Sequence, residues 1–200
     1  MKTPTTVPAD TLRSSDDEAL QLGLARLLKL VKATKDARAI KLALDFENGT
    51  MTEIDCAAID QAVADLDEGH RPAIEAAVQN VRHALQDIEE ELLTAQIRDL
   101  NDRFRTTQDP SLGVTVMSRE VQDLQPHEQQ ALLRLAMQFD DFNAGLDPEG
   151  FHQAGKVEFK GVEYWFWIDV LDVNYQWGSE SPEDPKESRR VMTIMRPHER

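Results

Sequence analysis

From Leu20 the apolar residues return every three or four positions, at Leu20, Leu24, Leu27, Leu28 and Val31. That period marks one buried helix face. Ser15 and Glu18 have the spacing of a capping box, so the pattern predicts a helix from Ser15 to about Leu44, broken near Thr34. Asn48, Gly49 and Thr50 read as a turn, and Ile54, Ala58, Ala62 and Leu66 predict a second helix that ends at Gly69. The longest periodic run follows. Ile74, Val78, Val81, Leu85, Ile88, Leu92 and Ala95 alternate at spacings of four and three, a heptad seam that must pack on another helix. The first helix is one candidate partner, and a second copy of the chain, giving a homodimer, is the other. Beyond Ala95 the apolar positions become Ile97, Leu100 and Phe104, so the packing face shifts and this helix is expected to meet a second set of neighbours.

After Thr107 the period falls to two. Gly113 to Ser118 alternates Val114 and Val116 and predicts a strand. Pro126 opens a predicted helix that carries Leu132, Leu133, Ala136, Met137 and Phe139 inward. His152 to Tyr175 holds two strands with a tight turn at Lys160 and Gly161. Gly178 to Ser188 is a polar loop, and Arg189 to Pro197 a last strand. The fold class expected is therefore α+β: a helical hairpin or three-helix unit whose long helix leads into a four-stranded antiparallel sheet covered by one helix. The expected divisions are a flexible tail at 1–14, a helical domain at 15–96 and an α+β domain at 97–200.

The chain of 200 residues carries a formal net charge of −15. Fifteen acids against three arginines lie between Asp45 and Asp102, and only the first helix is basic. Such a field repels nucleic acid and anionic membrane and favours a basic protein partner. Spaced carboxylates on helices could also imitate a phosphate backbone and occupy a nucleic-acid-binding protein. No run of apolar residues approaches the length of a membrane span, and the N-terminal stretch lacks the apolar core of a secretion signal, so a cytoplasmic protein is expected. The single cysteine, Cys56, excludes an intrachain disulfide and a cysteine zinc cluster. The scattered glycines form no phosphate-binding loop, and Ser118 and Ser188 lie in no nucleophile turn, so no cofactor or metal is expected.

Several short motifs follow one another in the second half. They are Leu100, Asn101, Asp102 and Arg105 at the end of the long helix; Phe139, Asp140, Phe142, Asp147 and Pro148; then His152 and Gly155; Ile168, Asp169 and Asp172; Pro182, Asp184 and Pro185; and Arg190, Val191, Thr193, Ile194 and Met195. In this order they resemble the bacterial family named domain of unknown function 3768, over roughly residues 97–197. The resemblance implies a soluble protein of proteobacteria, often linked to plasmids and other mobile elements, and implies no particular activity. The family pattern places acids on both sides of the histidine, whereas here Phe151 and Gln153 flank His152.

Two readings follow. In the first, the protein is a non-enzymatic binding or regulatory protein that sets its acidic surface against a basic partner. In the second, it is a small enzyme, metal-dependent or acid–base, built on His152, Asp169 and Asp172, since two carboxylates and an imidazole suit hydrolytic chemistry. Against the second, Asp169 and Asp172 are three apart on a strand and point to opposite faces. Asp169 shares its strand face with Trp165 and Trp167. On that aromatic face a buried carboxylate is expensive unless paired, so Asp169 is expected to make a structural pairing with a basic or backbone donor, with Arg103, Arg105 and Arg190 as the candidates. Pro182 to Pro185 is expected to be a solvated loop.

Overall fold

The computed structural model describes residues 18–33, 69, 71–143 and 145–200. The tail at 1–14, the cap at Ser15, the extension of the first helix to Leu44, the second helix and Cys56 all lie outside the described residues. The chain divides between Glu90 and Glu91 into two compact units.

In the first unit, helix α1 (Glu18–Ala33) and the start of helix α2 (Arg71–Thr107) carry the apolar stripes seen in the sequence. Val31 packs with Ile74 and Val78, and Leu27, Leu28 and Leu30 border them. A methyl group at Gly23 would sit 3.3 Å from Val81, so the two helices approach closely there. Ile74, Val78, Val81 and Ile88 are buried, but Leu92 is 45% exposed. The seam therefore ends a heptad earlier than its sequence pattern, and the side chain of Leu85 lies outside the described ones.

In the second unit the apolar face of α2 moves to Ile97, Leu100 and Phe104, as the shift in pattern predicts, with Leu100 partly buried and the polar Asn101 fully buried beside them. Strand β1 (Gly113–Met117) follows, then a short helix α3 (Arg119–Gln122) and helix α4 (Pro126–Met137). The α4 start is set by Pro126 in its first turn and by the Glu128 carboxylate, which accepts the Gln125 N–H at 3.0 Å. Strands β2 (Ala154–Phe159), β3 (Val162–Asp172) and β4 (Ser188–Met195) complete a sheet in the order β1-β4-β3-β2. Lys160 and Gly161 join β2 to β3 with φ values of 55° and 75°, the paired left-handed geometry of a tight hairpin.

The sheet is mixed, not purely antiparallel. β2 with β3 and β3 with β4 are antiparallel, but β1 runs parallel to β4, with Val114 opposite Val191. Hairpin-length connections force neighbouring strands to reverse. Between β1 and β2 the chain passes through two helices and a loop, so its return direction is free of that constraint. The sheet is also covered by more than one helix. Leu100 and Phe104 of α2, Val121 of α3, and Leu132 and Ala136 of α4 all pack on Tyr164, Phe166, Ile168, Met192 and Ile194. The opposite sheet face carries Val114, Val116, Val191, Trp165, Trp167 and Asp169 by strand alternation and register. No described helix is long and apolar enough to cross a membrane.

Candidate functional site

The motifs of the second half converge around the C-terminal end of α2. Arg190 of β4 is fully buried on the helix-covered face. Its Nε donates to the Asn101 side-chain oxygen at 2.9 Å, and its terminal nitrogens donate to Ser188 Oγ at 3.1 Å and to the Pro182 carbonyl at 2.8 Å. No carboxylate among the described residues pairs with it. Burial lowers its pKa to about 10, so the group stays charged at neutral pH and is held by neutral acceptors. The Pro182 to Pro185 segment is thus not merely a solvated loop. The Pro182 and Asp184 carbonyls accept from the Ser188 hydroxyl, and the Pro185 carbonyl accepts from Arg189 at 2.9 Å.

One helical turn along α2 lies a second cluster. Arg105 is nearly buried and donates to the Ala136 and Met137 carbonyls at 2.8 and 2.9 Å, closing the end of α4. Its other terminal nitrogen donates to Asp102 Oδ1 at 2.8 Å. The second oxygen of Asp102 lies 2.7 Å from His152 Nδ1. A carboxylate can only accept, so Nδ1 carries the hydrogen there. Nε2 has no partner among the described residues, and the histidine side chain keeps 27% of its surface exposed. The imidazole also stacks on Phe142, with ring centres 3.7 Å apart and planes within 2°. Phe142 in turn meets Phe139 and Phe166 edge to face.

The loop before β2 fixes the histidine from behind. His152 adopts φ 54°, a left-handed conformation that His tolerates better than most side chains. The buried Asp147 carboxylate supports that bend by accepting the His152 and Gln153 N–H groups at 2.8 and 3.3 Å. Asn101 adds a bond to the Phe151 carbonyl at 2.9 Å. Gly155 lies where a methyl group would come within 2.5 Å of both Phe139 and Phe166, so only a residue without Cβ fits between the rings. Asp140 and Pro148 are exposed and make no side-chain contribution to this cluster.

The expected Asp169 pairing is not made. Asp169 is exposed and has no side-chain partner among the described residues. Arg103 reaches Asp109 at 3.0 Å instead, and Arg105 and Arg190 are committed as described. The reason lies in the phase of β3. Tyr164, Phe166 and Ile168 face the helices, so Asp169 projects from the open face, where water solvates it and no donor is required. Nor do His152, Asp169 and Asp172 form one centre. The Asp172 carboxylate accepts the Gln176 N–H at 2.8 Å and, more weakly, that of Trp177 at 3.4 Å. The Gln176 bond first, and the Trp177 bond after it, holds this carboxyl below its usual range. Among the described residues no group of three or more His, Cys, Asp or Glu is placed to hold a metal ion. The Asp102–His152 pair escaped the strand-based reading because its members are fifty residues apart. The one available signal was their presence among the motifs that carry the family resemblance.

The open sheet face has its own features. Val114 and Val116 are more than two-fifths exposed, and Trp177, in the loop after β3, is 75% exposed. Glu158 and Glu163 stand directly opposite each other on β2 and β3, a like-charge pairing that costs stability. The guanidinium carbon of Arg200 lies over the Trp167 ring, 3.2 Å from its centre.

No curated protein and no solved structure shows a significant match to this chain. A family model does match: residues 117–199, from the end of β1 to the final turn and without Leu100 to Arg105, correspond to the family described as a protein of unknown function (DUF3768).

Proposed function

We propose that this protein is a binding protein whose open sheet face receives a basic protein partner. The observation that carries the reading is the company Asp169 keeps. An unpaired carboxylate stands beside half-buried tryptophans, level with exposed Val114, on the sheet face opposite the one packed by α3, α4 and the end of α2. Exposed apolar area beside free charge is the composition of an interaction surface. The net charge of −15 supports the sign of the partner, because a field of that size attracts cationic surfaces over long range. Exposed Glu75, Asp87, Glu90 and Glu91 along α2 extend the acidic character beyond the sheet. The basic groove of a nucleic-acid-binding protein has the matching chemistry, and a regulatory role would follow from occupying it.

The test is capture from a native host lysate at low and high salt. The baits are the wild-type chain, a Trp167→Ala, Asp169→Lys double variant, and a Glu149→Lys control at an exposed site away from the face. The reading expects a basic protein that wild type and control retain, that the double variant loses, and that high salt releases. Equal capture by all three baits would sink it.

A second reading is favoured by the Asp102–His152 hydrogen bond. An imidazole oriented through Nδ1, with Nε2 open, is the arrangement of a general acid or base. Turnover of nitrophenyl esters or phosphodiesters that disappears in both His152→Ala and Asp102→Asn would support an enzyme. Turnover unaffected by either substitution would remove His152 from consideration.

A further inference from the structure

We infer that Trp167 is a guanidinium-binding site, at which an arginine side chain of the basic partner takes the place now held by Arg200. This rests on the basic-partner reading and adds to it which side chain is recognised and what regulates access.

The Arg200 contact shows the chemistry of the site. A planar guanidinium stacks on an indole face more effectively than a compact ammonium, because it is more weakly hydrated and matches the ring in shape. Arg200 is brought there by the final turn, Pro197–Glu199. Glu199 anchors that turn: its carboxylate accepts the Ser118 hydroxyl at 2.6 Å, the Arg196 N–H at 2.8 Å and the Glu120 N–H at 3.2 Å. His198 adds a bond to Glu120 at 2.9 Å. The turn is tied down through Glu199, while Arg200 itself has no hydrogen bond or ion pair among the described residues and stays exposed. Its hold on Trp167 is the cation–ring contact alone, which a competing arginine can replace.

The sheet register supplies the rest of the site. Asp169 lies two positions along β3 from Trp167 and on the same face. Arg200 over the indole does not pair with this carboxylate, so Asp169 stays free to pair with a second donor of the partner beside the bound guanidinium. Across the sheet, Asp169 is level with Val191 and Val114, and Trp167 with Thr193 and Val116. These rows offer apolar surface to the methylene stem of an arginine and to its neighbours in the partner. The ring, the carboxylate and the apolar rows together fit an arginine-bearing segment.

The experiment compares two fluorescently labelled peptides, one of repeated Gly-Ser-Arg units and one of repeated Gly-Ser-Lys units, by anisotropy with the full chain. The arginine peptide is expected to bind about tenfold more tightly than the lysine peptide. Trp167→Leu keeps apolar bulk on the open face but lacks the ring, and should erase the preference without unfolding the sheet. Arg200→Ala should tighten arginine-peptide binding several-fold by vacating the ring. Equal binding of the two peptides would overturn the guanidinium site while leaving a general basic-partner surface standing. Binding of neither, even to Arg200→Ala, would overturn both. An affinity unchanged by Arg200→Ala would refute displacement. Self-association that Arg200→Ala abolishes would assign the ring to a second copy of this chain and likewise overturn the inference.

Discussion

Arg190 and Asn101 are joined by a fully buried hydrogen bond of 2.9 Å across 89 positions of sequence. Through it the last strand is locked to the end of the long helix. Asn101 serves two masters, since its amide nitrogen also donates to the Phe151 carbonyl. Removing the side chain leaves the Nε N–H of the buried guanidinium and the Phe151 carbonyl without these partners. Asn101→Ala should therefore cost about 2–4 kcal/mol, read as a lowered urea midpoint at constant slope. Asn101→Asp restores an acceptor for Arg190 but not the donor to Phe151, and should recover part of the loss. A midpoint for Asn101→Ala indistinguishable from wild type would mean that the pair contributes nothing to stability.

Asp102 bridges Arg105 and His152, and the two ends are not equal. Without Asp102, a nearly buried guanidinium loses one of its acceptors. Without His152, a half-exposed carboxylate loses one of two donors and gains water. Asp102→Ala should thus destabilise by about 2–3 kcal/mol and His152→Ala by about 1–2 kcal/mol. Thermal melts of the two variants side by side give the order, and the reverse order would contradict it.

The left-handed backbone at His152 gives a separate prediction. Alanine there keeps the strain and loses the imidazole, while glycine loses the imidazole and relieves the strain. His152→Gly should be more stable than His152→Ala by about 1 kcal/mol. Equal stability would mean that the loop relaxes out of the left-handed region once the imidazole is removed.

Gly155 sits against Phe139 and Phe166, and Phe166 is fully buried. Gly155→Ala must displace at least one ring from the edge-to-face cluster, costing about 1–3 kcal/mol. Loss of near-ultraviolet circular dichroism with an intact far-ultraviolet spectrum would locate the change in ring packing. An unchanged melting temperature would show that the rings move freely.

Acid should weaken the fold in a defined direction. The Gln176 N–H first holds Asp172 below the usual carboxylate range, and the Ser118 hydroxyl first does the same for Glu199. Each folded pKa lies below its unfolded value, so the stabilisation is complete above about pH 5 and is lost as pH falls through the folded value. Melting temperature should drop on acidification below that point. Asp172→Asn keeps an acceptor oxygen but cannot titrate, so its melting temperature should fall less steeply with acid. An identical slope for the two proteins would remove Asp172 from the account.

Much of the second half was legible because its local signals agree. Two-residue alternation named the strands, Pro126 marked the start of α4, and Lys160-Gly161 marked the hairpin. The motifs that carry the family resemblance hold some of the side chains that meet, Asp102 with His152 and Asn101 with Arg190, but also Asp169, which meets none of its expected partners. The partner of each was not legible. Asp169 was expected to need an arginine, because Trp165 and Trp167 make its face look buried. Both faces of β3 are aromatic, and alternation cannot say which one the helices cover. The parallel pairing of β1 was hidden for a related reason, since no short turn ties its direction to a neighbour.

Local order in this chain follows from residue types read in sequence: helix period, strand alternation, turn glycines and the shift of face near Ala95. Those are short-range effects, decided by backbone sterics and by which side chains repeat. Only the tertiary structure decided that Arg190 is held by an amide, a hydroxyl and a carbonyl rather than by a carboxylate, that Asp102 meets His152, and that Asp169 is left free beside Trp167. Backbone carbonyls are identical at every position, so an acceptor such as that of Pro182 has no signature in the sequence. Whether a charge needs a partner depends on its burial, and burial is settled only when the elements pack.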